Sequence, residues 1–154
     1  MQLNDGEIKD RVAIGSDDTA LAAFAQLGAL RLKAQRCIIS LVSKDEEVIL
    51  AESTRTLSLQ SDLVHNSRDA LFLGTTRYPR DQGLSAAGLK QWMTTKERRE
   101  TPQEDDYYYT DGVSSHCYII SDLRKATDLQ SLVVVKAAPK LRFYAAVHLS
   151  LIHI

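Results

Sequence analysis

The sequence predicts an α+β domain in which an antiparallel sheet is packed on one face by helices. Three observations lead there. An Ala/Leu-rich stretch follows a cluster of acidic caps, two β-branched runs flank a short polar break, and two further strand-like runs return near the end. Helical and strand patterns mixed in this way, without strict βαβ alternation, favour an antiparallel sheet backed by helices.

Residues 1–15 are polar with scattered apolar positions and read as a flexible lead-in. Ser16, Asp17 and Asp18 offer N-caps and place carboxylates where a helix N-terminus favours negative charge. From Thr19 to Ala34 the sequence TALAAFAQLGALRLKA is built of strong helix formers. Leu21, Phe24, Ala25, Gly28 and Leu32 fall on one stripe at helical spacing. Gly28 inside the helix costs about 1 kcal/mol against Ala, which a close approach to a neighbouring element would offset.

Arg36 to Ser43 is short and β-branched, Lys44-Asp45-Glu46 is a polar break, and Glu47 to Leu57 resumes with Val, Ile and Thr. The pair predicts an antiparallel hairpin. Its first strand is apolar on both faces and is expected in the sheet interior, whereas its second alternates into Glu52, Thr54 and Thr56 as an exposed strand would.

Ser58 to Gly83 has no sustained periodicity and is expected as a long loop anchored by Leu71-Phe72-Leu73. Ser85 to Lys96 can form a helix. Residues 97–113 are strongly polar and read as a mobile insertion; Tyr107-Tyr108-Tyr109 beside Glu104, Asp105 and Asp106 are expected as exposed loop aromatics rather than a base-stacking platform. His116 to Ile120 is a third strand. Ala126 to Val135 is ambiguous between a short helix and a strand. Leu141 to Leu149 is a fourth strand, with Leu141, Phe143, Ala145, Val147 and Leu149 on one face.

The bulk numbers exclude several classes. Apolar residues make up 44% and charged residues 25%, enough for a packed core. A net charge of -1 gives no global pull toward nucleic acid or anionic membrane, and the cluster of Lys96, Arg98 and Arg99 has acidic neighbours. No apolar run approaches the ~20 residues that span a bilayer. The N-terminus lacks the pattern of a signal peptide, and the expected compartment is cytoplasmic. Cys37 and Cys117 are isolated in apolar runs and read as reduced, packed thiols.

Chemistry is equally sparse. His116 and Cys117 are adjacent on a strand and so point to opposite faces, which rules out a dyad between them. His148 lies in an apolar strand and His153 near the end. His65 shares the long loop with Asp62 and Asp69, where solvated loop residues are the favoured reading. No nucleophile elbow, metal-ligand spacing or glycine-rich phosphate loop occurs. Asp17-Asp18 fits helix capping and Asp105-Asp106 a polar loop. No catalytic residue, metal site or cofactor is expected, and no residue is assigned to ligand contact.

ALAAFAQLGALRLKAQRCIISLV (Ala20 to Val42), then ILAESTRTLSLQSD (Ile49 to Asp62), resembles the start of the GAF region of fungal hybrid sensor histidine kinases. The resemblance continues through LFLGTTRYPRDQGL (Leu71 to Leu84) and ISDLRKATDLQSLVVVKAAPKLRFYAAVHL (Ile120 to Leu149). It implies a GAF-like antiparallel sheet with helices across one face, over residues 16–149, with long loops roofing a pocket. It also implies a non-catalytic sensory or signal-relay role upstream of a kinase core in phosphorelay signalling. The alternative is a stand-alone small-molecule-binding sensor or dimerisation module. The partners implied are a small molecule of unknown identity, a second copy or a kinase. Neither Cys37 nor Cys117 matches the chromophore-attaching cysteine of photoreceptor GAF domains.

In the family another strand and a closing helix follow the fourth strand, and here Leu149 leads into residues 150–154, SLIHI. The domain is therefore expected to be incomplete at its C-terminus, with SLIHI a frame-shifted or intron-read tail. Neither the phospho-acceptor helix pair, the ATP-binding boxes nor the receiver domain of those kinases is present. A missing interior strand would leave roughly five backbone sites open on each flanking strand. At ~1–3 kcal/mol for each one buried unpaired, that is comparable with a whole-domain stability of ~5–15 kcal/mol.

Overall fold

The computed structural model describes residues 13–57, 69–90, 117–136 and 140–147. They are a mixture of helix and antiparallel sheet in two compact units that divide after Asp81. The 97–113 insertion, the 150–154 tail, Tyr107-Tyr108-Tyr109 and the four histidines lie outside the described residues.

In the first unit, helix α1 (Thr19–Arg31) starts where the sequence places its cap. Asp18 Oδ1 accepts from the backbone N–H groups of Ala20 and Leu21 at 2.9 and 3.1 Å. It ends with Leu32 N–H donating to Gly28 O at 3.0 Å, after which Lys33 takes a left-handed φ of 52°. Strands β1 (Arg36–Val42) and β2 (Glu46–Thr54) form the expected antiparallel hairpin. Its turn is closed by Ser43, whose Oγ accepts from the N–H groups of Asp45 and Glu46. Strand β3 (Thr76–Pro79), inside the stretch read as loop, adds to the far side of β2.

The order β1-β2-β3 corrects the expected placement of the hairpin strands. β2 is central and β1 has no second neighbour among the described residues. Of the three residues read as exposed, Glu52 and Thr54 are buried and Thr56, past the end of β2, is exposed. Glu52 and Thr54 find partners in the segment from Asp69 to Gly74, so alternating polarity here marks an internal hydrogen-bond network rather than solvent.

A register shift between Ile39 and Ser40 sets which residues share a face. Before it Ile38 pairs with Glu52; after it Ser40 pairs with Ile49. Leu50 is the extra residue on β2, so Ile49 and Glu52 project to the same side despite their odd spacing. On that side Ile49 packs with Leu73 and Tyr78, flanked by Ile38 and Phe72. On the other side α1 covers the sheet. A Cβ on Gly28 would stand 2.8 Å from Cys37 Sγ, so glycine is what allows the helix this close. Gln26, the one polar side chain in mid-helix, donates to Leu57 O at 2.6 Å and holds the exit of β2.

Within α1 the seam against the sheet is Ala25 and Ala29. Phe24 and Leu32 of the expected stripe are exposed instead, at 65% and 69%. The small residues turn inward because only they fit the close approach made at Gly28.

In the second unit, residues 85–90 are helical. Strands β4 (Cys117–Ile120) and β5 (Tyr144–Val147) pair antiparallel, and Tyr118 meets Tyr144 edge-on at 6.2 Å. Between them Leu123, Leu129, Val134 and Val135 are buried. Val133–Lys136 is a helical turn, which resolves the ambiguous segment against its β-branched composition. Arg142 fixes it by donating from Nη1 to Val135 O at 3.1 Å, while Leu141 N–H donates to Val134 O at 3.0 Å. The fourth strand starts at Tyr144 rather than Leu141, and of the residues expected on one face Phe143, just before β5, and Ala145 and Val147 on it are exposed.

Candidate functional site

The densest polar construction among the described residues joins the sheet to the loop that crosses it. Glu52 projects from central β2 with its side chain fully buried. Its carboxylate accepts from three successive backbone N–H groups: Phe72 to Oε1 at 2.9 Å, and Leu73 and Gly74 to Oε2 at 2.7 Å each. Arg36 adds an ion pair from Nη1 to Oε1. Arg36 reaches Glu52 because both lie on the same sheet face, two residues along β1 from the Ile38 pairing. Its guanidinium also sits 5.9 Å from the Phe72 ring centroid, so the same loop residue is held by its amide and its ring.

Successive N–H groups converging on one anion form a backbone nest, and here a carboxylate from the protein itself occupies it. Gly74 makes the geometry possible with φ of +59°. A Cβ there would lie 2.4 Å from Ile14 O, so no other residue fits. Ile14 O in turn accepts from Thr75 N–H at 2.8 Å, which ties the end of the lead-in to the same loop.

A second buried carboxylate follows along the loop. Asp69 Oδ1 accepts from the hydroxyls of Thr54 at 3.4 Å and Thr56, while Oδ2 has no hydrogen-bond partner among the described residues. Glu52 and Asp69 thus fix neighbouring stretches of the loop, one through backbone amides and one through the hydroxyls of Thr54, the last residue of β2, and Thr56 just beyond it. Such charge-assisted bonds are stronger than neutral ones and are costly to leave unmade once buried.

Of the residues weighed from sequence, Asp69 is the one that the structure places in this network. His65 and Asp62, considered with it, lie outside the described residues, as do His116, His148, His153, Asp105 and Asp106. Asp17 is exposed, and Asp18 caps α1. Cys37 faces α1, where burial pushes its thiol pKa up and keeps it protonated. Cys117 is a free, half-buried thiol on β4. Among the described residues no cluster of three metal-ligating side chains forms, and no helix is long and apolar enough to cross a membrane.

Glu52 and Arg36 were not singled out by sequence reasoning. Counted from the turn without the bulge, Glu52 would fall opposite Cys37 on the helix side of the sheet. The register shift carries it to the loop side, and nothing in the residue pattern marks that shift. No protein-family model, curated protein or solved structure matches the chain.

Proposed function

We propose that this chain is a non-catalytic sensory or signal-relay domain of GAF type, of the kind that stands upstream of a kinase core in fungal hybrid histidine kinases. The reading rests on the ordered resemblance from Ala20 to Leu149. The observation that carries it is the Glu52 nest, which fastens a loop across a sheet whose other face is covered by a helix. A sheet and loop joined through one buried carboxylate move as a unit. A displacement at the loop is therefore passed to β2 and to α1 behind it, as a relay requires.

What supports relay over small-molecule reception is the packing beneath the loop. Phe72 and Leu73 pack against Ile38, Ile49 and Tyr78 there, so among the described residues the loop's own side chains cover that part of the sheet face.

The test is to fuse the chain ahead of the dimerisation and catalytic core of a fungal hybrid histidine kinase and follow autophosphorylation. The fusion is expected to change the rate severalfold relative to the bare core, and Glu52→Gln to abolish that change. Equal rates with and without the chain would contradict the proposal. A saturable thermal shift with one metabolite from a broad screen would favour the stand-alone sensor instead.

A further inference from the structure

We propose that the end of the β4–β5 hairpin at Ile120 and Tyr144 is a docking surface for an anionic lipid bilayer, with a cluster of cations meeting the headgroups and the outward side of β5, led by Phe143, entering the interface. The inference rests on charge and exposure within the second unit and is independent of the GAF reading.

The net charge of -1 conceals a segregation. Asp128 is the last acidic residue of the sequence, and residues 129–154 carry Lys136, Lys140 and Arg142. The fold gathers these with Arg124 and Lys125. Leu123 N–H donates to Arg142 O at 2.7 Å, which sets Arg124 and Lys125 beside Arg142. Leu141 N–H donates to Val134 O at 3.0 Å and Arg142 Nη1 to Val135 O at 3.1 Å, which brings Lys136 and Lys140 to the same place. All five side chains are exposed. Asp122 is taken up by Arg124 at 2.8 Å, whereas Lys125, Lys136, Lys140 and Arg142 have no ion-pair partner among the described residues. Like charges held together repel one another, and an anionic surface relieves that repulsion.

An apolar side runs on from the cations. Phe143, next to Arg142, alternates with Ala145 and Val147 to one side; all three are exposed, Phe143 and Val147 at 57% each. The pairings of Cys117 with Val147 and Ile119 with Ala145 set those two half-buried side chains on the same side. Membrane attachment of a folded surface takes two signals, basic charge toward anionic lipid and apolar area in the headgroup boundary, and this end of the hairpin has both. Duplex nucleic acid would engage the cations through its phosphates but leave Ala145 and Val147 in water. The bilayer engages both parts.

Co-sedimentation of the full chain with large unilamellar vesicles tests it, comparing phosphatidylcholine alone with phosphatidylcholine containing about 30% phosphatidylserine. The expected result is binding to the anionic vesicles at about 0.1 M salt, weakened at least about tenfold at about 0.5 M. Each cation near such a surface is worth about fivefold, so Lys125→Glu with Lys136→Glu should weaken binding at least about twentyfold with unchanged far-UV circular dichroism. Phe143→Ser should weaken it by about threefold or more. Lys44→Glu with Arg55→Glu, the same charge change at exposed positions of the first unit, should alter it by less than about threefold. Equal binding to both kinds of vesicle, no binding to the anionic ones, or a first-unit pair as damaging as the Lys125 and Lys136 pair would overturn the proposal. So would tighter binding to a duplex DNA than to the anionic vesicles at the same salt, which would assign the cations to nucleic acid.

Discussion

Replacing Glu52 by Ala removes the acceptor for three loop amides and the partner of Arg36 in a single step. Each orphaned buried amide costs ~1–3 kcal/mol, and breaking a buried ion pair from one side costs ~3–5 kcal/mol. The terms do not add in full, because the loop relaxes and the Arg36 side chain, 14% exposed, can draw water. A loss of about 4 kcal/mol or more remains, a large share of a typical ~5–15 kcal/mol stability. Glu52→Gln retains one oxygen acceptor but turns a donor toward loop amides, for an expected loss of about 2–3 kcal/mol. Arg36→Met leaves the three amide bonds in place and is expected to cost least, about 1–2 kcal/mol. Urea unfolding followed by far-UV circular dichroism gives the three values on one scale. An Ala variant within about 1 kcal/mol of the original, or an Arg36 variant worse than it, would refute the reasoning.

Two further predictions concern other contacts. Gly28→Ala gains about 1 kcal/mol of helix propensity but sets its methyl 2.8 Å from Cys37 Sγ, and overpacking costs ~1–3 kcal/mol. The single variant should therefore be no more stable than the original, while in the Cys37→Ala background, where the nearest remaining atom is the Cβ at 3.5 Å, the same change should stabilise; equal effects in both backgrounds, measured by urea unfolding, would contradict the close approach. The Arg124 guanidinium and backbone N–H hold the Asp122 carboxyl down to about 2 from 3.8. A pKa lowered on folding gives a contribution that is present above the unfolded value and lost as pH falls through about 2. A carboxyl NMR titration should show that midpoint in the original chain and a rise toward 3.8 in Arg124→Gln, and a midpoint near 3.8 in the original would remove the pairing.

Local patterns foretold the elements better than their surroundings. Asp18, the Ala/Leu run and the two β-branched runs announced α1 and the β1–β2 hairpin, because capping and propensity act over a few residues. Position in the sheet was misread. The polar alternation of β2 suggested exposure, but Glu52 and Thr54 are buried against partners twenty and fifteen residues further on, which a local pattern does not reveal. β3 has four residues and a proline, too few to show a period. Val133–Lys136 is helical because Val134 and Val135 are buried and Arg142 holds the end of the turn, so tertiary packing overrides β-propensity. The Leu71-Phe72-Leu73 anchor was legible as an apolar run. Its tether was not, since the bulge decides which sheet face Glu52 occupies.

The central claim is that one buried carboxylate fastens the loop to the sheet. Hydrogen exchange at the amides of Phe72, Leu73 and Gly74 tests it most directly. Protection close to that of the β2 amides is expected in the original chain, and its collapse at these three positions in Glu52→Ala, which leaves them no acceptor, while β2 stays protected. Exchange at the rate of an open loop in the original chain, or protection unchanged in the variant, would contradict it.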